Sequence, residues 1–287
     1  MTTAWVLQGG GSLGAAQVGM ARALMESGNH PDLVLGTSAG ALNAAWLATD
    51  PTLEGLGSLG KLWTAARRRD VFPLSGWTAL GGVIGLRDHT VSSAAFARWL
   101  RSVALVRRLQ DGVLPLGVVA TDLLTGEAVL LDSGPTVPAL LASAAMPGIF
   151  PPVLIGTRWL VDGSIASDAP IGQAVRAGAD RVFVLPSALN GPAERPRSAL
   201  GIMLRSSSIM IVRDNARQVA KWSKSCELFV LPAPAVPGAS PFSFGKAGEL
   251  IDAAHLLVAT WLQTAQPVDA SQQPHATGTP TIGLASH

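Results

Sequence analysis

Charge is scarce in this chain: 14% of its 287 residues are Asp, Glu, Lys or Arg, and the formal net charge is +2. The basic residues are scattered, apart from Arg67, Arg68 and Arg69 and the pair Arg107 and Arg108. A nucleic-acid binder concentrates its cations on one face, so no nucleic acid is expected as a partner. The two short clusters read as solvated helix faces, with weak attraction to anionic lipid headgroups as the minor alternative. Cysteine is nearly absent. Cys226 stands alone, so no internal disulfide forms, and an oxidising compartment is not implied. Cys226 lies in no reactive motif, which leaves it a packing role. The N-terminus runs Met1, Thr2, Thr3, Ala4 into an apolar strand with no charged leader or cleavage site. Long apolar spans are missing too. The longest uncharged run, residues 133–157, carries five prolines and cannot form a spanning helix. The expectation is a soluble cytoplasmic protein, at most peripheral to a membrane.

What is present is a 48% apolar chain with 31 glycines, long enough for one large α/β domain and a small cap. Residues 4–8 form a short apolar run ending in glycines, and 33–35 form another. Each is followed by a glycine-rich turn and a helix-like stretch, 12–27 after the first and 41–48 after the second. Strand, glycine turn and helix thus occur twice within the first fifty residues. That alternation predicts an α/β fold with a mostly parallel central sheet covered by helices on both faces. Residues 51–108 lack strand character and are expected to be a helical and loop cap over one end of the sheet. Within them the Trp-bearing stretch 77–86 is a candidate lid or lipid contact, with core packing as the competing reading. Strands are expected again at 116–120, 128–131, 159–161 and 182–185. A short helix is expected over 170–178, stopped by Gly178. Residues 232–241 read as a proline-rich loop and 247–263 as an amphipathic helix. A single catalytic domain therefore spans 1–265, and the polar residues 266–287 are expected to be a disordered tail.

Three motifs carry chemistry. The first, Gly9-Gly10-Gly11-Ser12-Leu13-Gly14, follows a strand, opens a helix and fits the dinucleotide fingerprint. That fingerprint also needs an acid at the end of the second strand to hold the ribose. Here the second strand ends in Gly36, Thr37 and Ser38, so the dinucleotide reading fails at its most diagnostic position, and no cofactor or metal is expected. The loop still offers backbone N–H groups at a helix start, which suits an oxyanion hole. Taken alone, it reads first as a tight strand-to-helix turn that needs glycine for backbone geometry. The second motif is Gly36-Thr37-Ser38-Ala39-Gly40, between an apolar strand and a helix. Such a sharp turn lifts a serine hydroxyl clear of the sheet, and its glycines make room for the crossing backbone. Ser38 is the candidate nucleophile. The third motif ends an apolar strand in Asp162-Gly163. In a parallel sheet, functional groups gather at the carboxyl ends of strands, so Asp162 should emerge on the same edge as Ser38. In isolation it would be an ordinary Asp-Gly turn. A histidine base is not expected: His30 and His89 are remote or out of order, His255 falls on the late helix, and His275 and His287 lie in the tail.

Together these residues resemble the patatin-like phospholipase family. The resemblance extends to Ala120-Thr121-Asp122 with Thr125-Gly126-Glu127, and to residues 142–147 with Phe150-Pro151-Pro152. It also takes in Phe244-Gly245 with the helix over 247–261, and it covers about residues 4 to 263. It implies a three-layer fold and hydrolysis of lipid acyl esters. The roles it implies are Ser38 as nucleophile, Asp162 as base, and the Gly10 and Gly11 amides as oxyanion donors. Gly9, Gly14, Gly36, Gly40 and Gly163 shape the turns. Three positions depart from the family's pattern. Leu13 stands where a basic residue is common, Ser164 follows Asp-Gly in place of Gly or Ala, and Asp168 sits where asparagine is frequent. The chemistry implied is two-step acyl transfer through an acyl-enzyme. A lipid acyltransferase and a non-catalytic lipid binder on the same scaffold are the alternatives.

Overall fold

The structure, a computed structural model, describes residues 1–72, 89–103, 105–187 and 199–268. The candidate lid over 77–86 lies outside the described residues, as does most of the expected tail. An eight-stranded sheet forms the centre. Its parallel part is β8 (Glu227–Val230), β7 (Arg181–Leu185), β1 (Thr3–Leu7), β2 (Leu33–Thr37) and β3 (Leu116–Asp122), lying side by side in that order. Every residue of β1, β2 and β3 is buried, as apolar strands covered on both faces require.

Alternate side chains of one strand feed two separate cores. Trp5 and Leu7 point to one face, Ala4 and Val6 to the other. On the first face lie α1 (Ala16–Glu26), α2 (Ala39–Thr49), α3 (Leu53–Ala65) and the helix Ala247–Trp261, through residues such as Met20, Ala45, Leu59 and Leu250. Small residues let these helices approach closely: a Cβ on Gly19 of α1 would collide with the Ile251 carbonyl. On the second face lie the helix Ile171–Arg176 and the long helix Ala199–Trp222, through Ile171, Ala174 and Trp222. The result is a helix–sheet–helix sandwich. Residues from the region expected as a cap also reach the core, since α3 buries Leu56, Leu59 and Trp63. No helix among the described residues is long and apolar enough to cross a membrane.

The remaining strands differ from the expected arrangement in one respect that matters for the site. β4 (Ala128–Leu131), β5 (Val153–Ile155) and β6 (Arg158–Asp162) are all antiparallel to their partners. Register fixes where they go. Val118 and Val119 of β3 pair with both β2 and β4, so those two strands flank β3 on opposite sides. Ala120 and Thr121 pair with both β4 and β6. β6 is therefore on the β2 side of β3, further along the same edge and running the opposite way. The carboxyl ends of β2 and β6 meet head to head.

Candidate active site

This abutment, rather than a shared parallel direction, brings Asp162 to Ser38. β2 ends with Thr37 opposite Val119, and β6 ends with Asp162 opposite Ala120, one position further along β3. The Ser38 side chain lies close enough to the Asp162 carboxylate to draw its pKa down. The chain passes the junction with almost no clearance. A Cβ on Gly163 would strike the Val119 carbonyl and come within 3.0 Å of the Thr37 methyl.

Ser38 is the only non-glycine among the described residues with positive φ, at 54°, with ψ at −120°. It caps α2, yet its side chain makes no capping bond, so its hydroxyl is free to face Asp162. The turn is held from below. The Ser38 amide donates to Ser143 Oγ at 2.8 Å, and Ser143 Oγ donates to the Val119 carbonyl at 2.5 Å. Gly36 and Gly40 are needed because the backbone crosses itself: a Cβ on Gly36 would meet the Gly40 carbonyl, and one on Gly40 the Leu7 carbonyl.

Asp162 is 2% exposed. Its amide donates to the Ala145 carbonyl and its own carbonyl accepts from Thr121 Oγ1, both at 2.9 Å. One carboxylate oxygen accepts the Ser164 amide at 2.9 Å. Burial raises the carboxyl above the ordinary carboxylate range, against the opposing pull of Ser164 and the Ser38 hydroxyl.

The glycine loop arrives beside Ser38. An added Cβ on Gly9 would lie 3.3 Å from that of Ser38, and one on Gly14 3.0 Å from that of Ala39. Among the described residues, the Gly10 and Gly11 amides have no hydrogen-bond acceptor, whereas their neighbours are engaged. Gly9 donates to Asp168 at 2.9 Å and Ser12 to the Pro241 carbonyl at 2.9 Å. The Ala39 amide, at the start of α2, is likewise free among the described residues. Unpaired amides at two helix starts beside a hydroxyl form a surface that favours negative charge.

Several residues that frame the site carried no motif in the sequence. Gln17 Nε2 bridges the Gln8 and Leu185 carbonyls, and Asn43 Nδ2 bridges the Gly14 carbonyl and Gln17 Oε1. Trp63 Nε1 donates to Asn43 Oδ1 at 2.8 Å. This buried chain of amides ties the glycine loop to α2. Ser12 Oγ reaches the carbonyls of Ser240 and Ser243, so the proline-rich loop latches the same turn from outside. Asn215 completes the frame, with Ser143 from the 142–147 stretch and Asp168, both already marked by the resemblance. Of the departures, Leu13 is buried core at 2% exposed, and Ser164 supplies its amide to Asp162. Asp168 holds Gly9. His255 is engaged elsewhere, 2.6 Å from Glu26 on α1. A groove of about 660 Å³ between α3 and residues 242–248 contains neither Ser38 nor Asp162.

Comparison with known proteins gives a consistent family. A family model described as "Patatin-like phospholipase" matches residues 5–175. An uncharacterised NTE family protein of Mycobacterium tuberculosis is 29% identical over 231 residues, covering 75% of this chain and 59% of the relative. A patatin-like phospholipase domain-containing protein of Chaetomium globosum is 32% identical over 197 residues, covering 59% of this chain and 22% of its own length. The chain thus spans less than two thirds of these relatives. Among solved structures, human GIVD cytosolic phospholipase A2 in complex with methyl gamma-linolenyl fluorophosphonate overlaps 91% of this chain and 57% of its own, with a TM-score of 0.51 at 12% identity. That likeness is one of fold.

Proposed function

The chain belongs to the patatin-like phospholipase family, and from that premise we propose that it hydrolyses acyl esters of lipids, with Ser38 as nucleophile and Asp162 as base. The observation that carries this reading is the hydroxyl–carboxylate pair at the meeting strand tips, beside the free amides of Gly10 and Gly11.

Asp162 takes the proton from Ser38 Oγ as that oxygen attacks the ester carbonyl. The glycine-loop amides receive the oxyanion, and the alcohol departs with the proton returned by Asp162. Water, deprotonated in turn by Asp162, then releases the acid and restores Ser38. A carboxylate of ordinary pKa is a weak base for an alcohol. Desolvation at Asp162 narrows that gap, and the strained turn presents the hydroxyl without a competing capping bond. The substrate class follows from the family. Contact with a membrane surface is part of the proposal, since long-chain lipid esters reside there.

The test is labelling with a fluorophosphonate probe, followed by hydrolysis of p-nitrophenyl butyrate and of phosphatidylcholine vesicles. The full chain should label and turn over ester. Ser38→Ala should lose both properties while keeping its fold by circular dichroism. Full activity in Ser38→Ala would overturn the nucleophile assignment, and full activity in Asp162→Asn would overturn the base.

A further inference from the structure

One buried carboxyl takes no part in that chemistry. Asp168, at the end of the short helix Ser164–Ser167, is 6% exposed. One of its oxygens accepts the Gly9 amide at 2.9 Å, and the other accepts Asn215 Nδ2 at 2.9 Å. It therefore joins the root of the glycine loop to the long helix Ala199–Trp222 on the second face. Clearances show how tightly the loop is seated. An added Cβ on Gly9 would lie 2.8 Å from the Asp168 carboxylate oxygen and 3.3 Å from the Ser38 Cβ. Gly9 is thus wedged between the two side chains, and the next two residues carry the free amides.

The charges around this carboxyl are of one sign. Those that act on it are Asp162 from the tip of β6 and Asp214 from the helix Ala199–Trp222. The glycine loop presents only an amide to it, and β2 ends in Thr37, with Ser38 next in the chain. No Lys, Arg or His pairs with it among the described residues; Arg213 and Arg217 flank Asn215 in sequence but are not among the groups acting on it.

We propose that Asp168 is a positioning residue that works as a neutral acid: its carboxyl, strung between Gly9 and Asn215, seats the glycine loop against Ser38, and an ionised carboxyl there weakens the proposed acyl transfer. This rests on the reading of Ser38 and the Gly10 and Gly11 amides given above. The physical reason is proximity. A second anion beside Asp162 and under the oxyanion donors opposes the negative charge that the reaction develops on the substrate oxygen. Burial, reinforced by Asp162 and Asp214, pushes the Asp168 carboxyl up to about 7, despite the opposing bonds from Asn215 and Gly9. Asparagine meets the same geometry without the charge. As a neutral acid Asp168 keeps one oxygen for Gly9 and gives its O–H to Asn215 Oδ1 once that amide turns over, an atom now buried without a partner among the described residues, and an asparagine NH₂ can serve the same atom.

The experiment compares wild type, Asp168→Asn and Asp168→Ala between pH 5.5 and 9. It reads kcat/KM on p-nitrophenyl butyrate and, separately, Tm. Wild-type kcat/KM should fall by up to about tenfold per pH unit above about 7. Asp168→Ala should be slow at every pH, and Asp168→Asn should restore the rate and remove the fall above 7. The Tm profile has its own sign. A carboxyl whose pKa is raised from 3.8 to about 7 on folding contributes stability below the unfolded value and loses it as pH rises through the folded one. Wild type should therefore lose Tm relative to Asp168→Asn between pH 5.5 and 8. Superimposable rate and Tm profiles for wild type and Asp168→Asn would refute the assignment. So would an Asp168→Asn variant as slow as Asp168→Ala. If Ser38→Ala proves active, the acyl-transfer reading is what fails, and the Tm profiles alone decide whether Asp168 is held as a neutral acid.

Discussion

Ser38 combines two properties that pull against each other. Its φ of 54° and ψ of −120° fall where a side chain is unwelcome, and such a residue typically stores about 1–3 kcal/mol. The strain is held by the Ser38 amide bonded to Ser143 and by α2 starting at Ala39. Ser38→Gly should accordingly raise thermal stability by roughly 1 kcal/mol while destroying hydrolysis, because glycine occupies this region freely. Differential scanning calorimetry beside an ester assay checks both halves. Ser143→Ala acts in the opposite sense. It strips the acceptor from a half-buried amide and the donor from the buried Val119 carbonyl, at a cost of about 1–3 kcal/mol, and should lower Tm and activity together. For Asp162 the expected loss on Asp162→Asn is about 10²–10⁴-fold in kcat, the usual contribution of a general base. Burial raises the Asp162 carboxyl, so the acid limb of the wild-type profile should have its midpoint above the ordinary carboxylate range. An acid limb at pH 4 or below would argue that Asp162 is not the ionising base.

At the scale of elements, the site exists because two strands share one edge of β3. β2 occupies Leu116 to Val119 and β6 occupies Ala120 to Asp122, with β4 along the other side. The junction is pinned by Thr121 Oγ1 on the Asp162 carbonyl and by the Asp162 and Gly163 amides on the carbonyls of Ala145 and Ser143. Gly163→Ala should be poorly tolerated, since its methyl would meet the Val119 carbonyl. Overpacking of this kind costs about 1–3 kcal/mol, and urea unfolding measures it. Glycine turns, the elbow around Ser38 and the Asp162-Gly163 strand end were all legible from local pattern. The direction of β6 was not. A four- or five-residue apolar run reads the same in either direction, and its orientation is set by pairing with residues some forty positions away on β3. Asp162 lies beside the tip of β2, but by a head-to-head abutment and not by a shared carboxyl edge. The Gln17–Asn43–Trp63 chain and the Asp168–Asn215 bond escaped notice for a related reason: isolated amides and acids carry no periodicity, and their partners lie 20 to 47 positions away.

For the whole molecule, the segment matched by the family model ends at residue 175, yet the fold does not. β7 pairs with β1 along its full length and separates it from β8. The helix Ala247–Trp261 buries Leu250, Ala254 and Val258 against the first-face core, and a fully buried leucine alone contributes about 1.5–3 kcal/mol. A fragment of residues 1–175 should therefore be unfolded by circular dichroism and rapidly cut by protease, while the full chain resists both. A stable 1–175 fragment would show that the later elements are accessory.

Local sequence pattern determined the class of this protein. Buried strands announce themselves as apolar runs, and the turns that present a hydroxyl or free amides need glycine at fixed offsets, so both survive in a one-dimensional reading. Only the tertiary structure decided which strand tips touch, which amides stay unpaired, and which acid is left buried among like charges. Those outcomes depend on register and burial, and both are set by chain segments that meet only after folding.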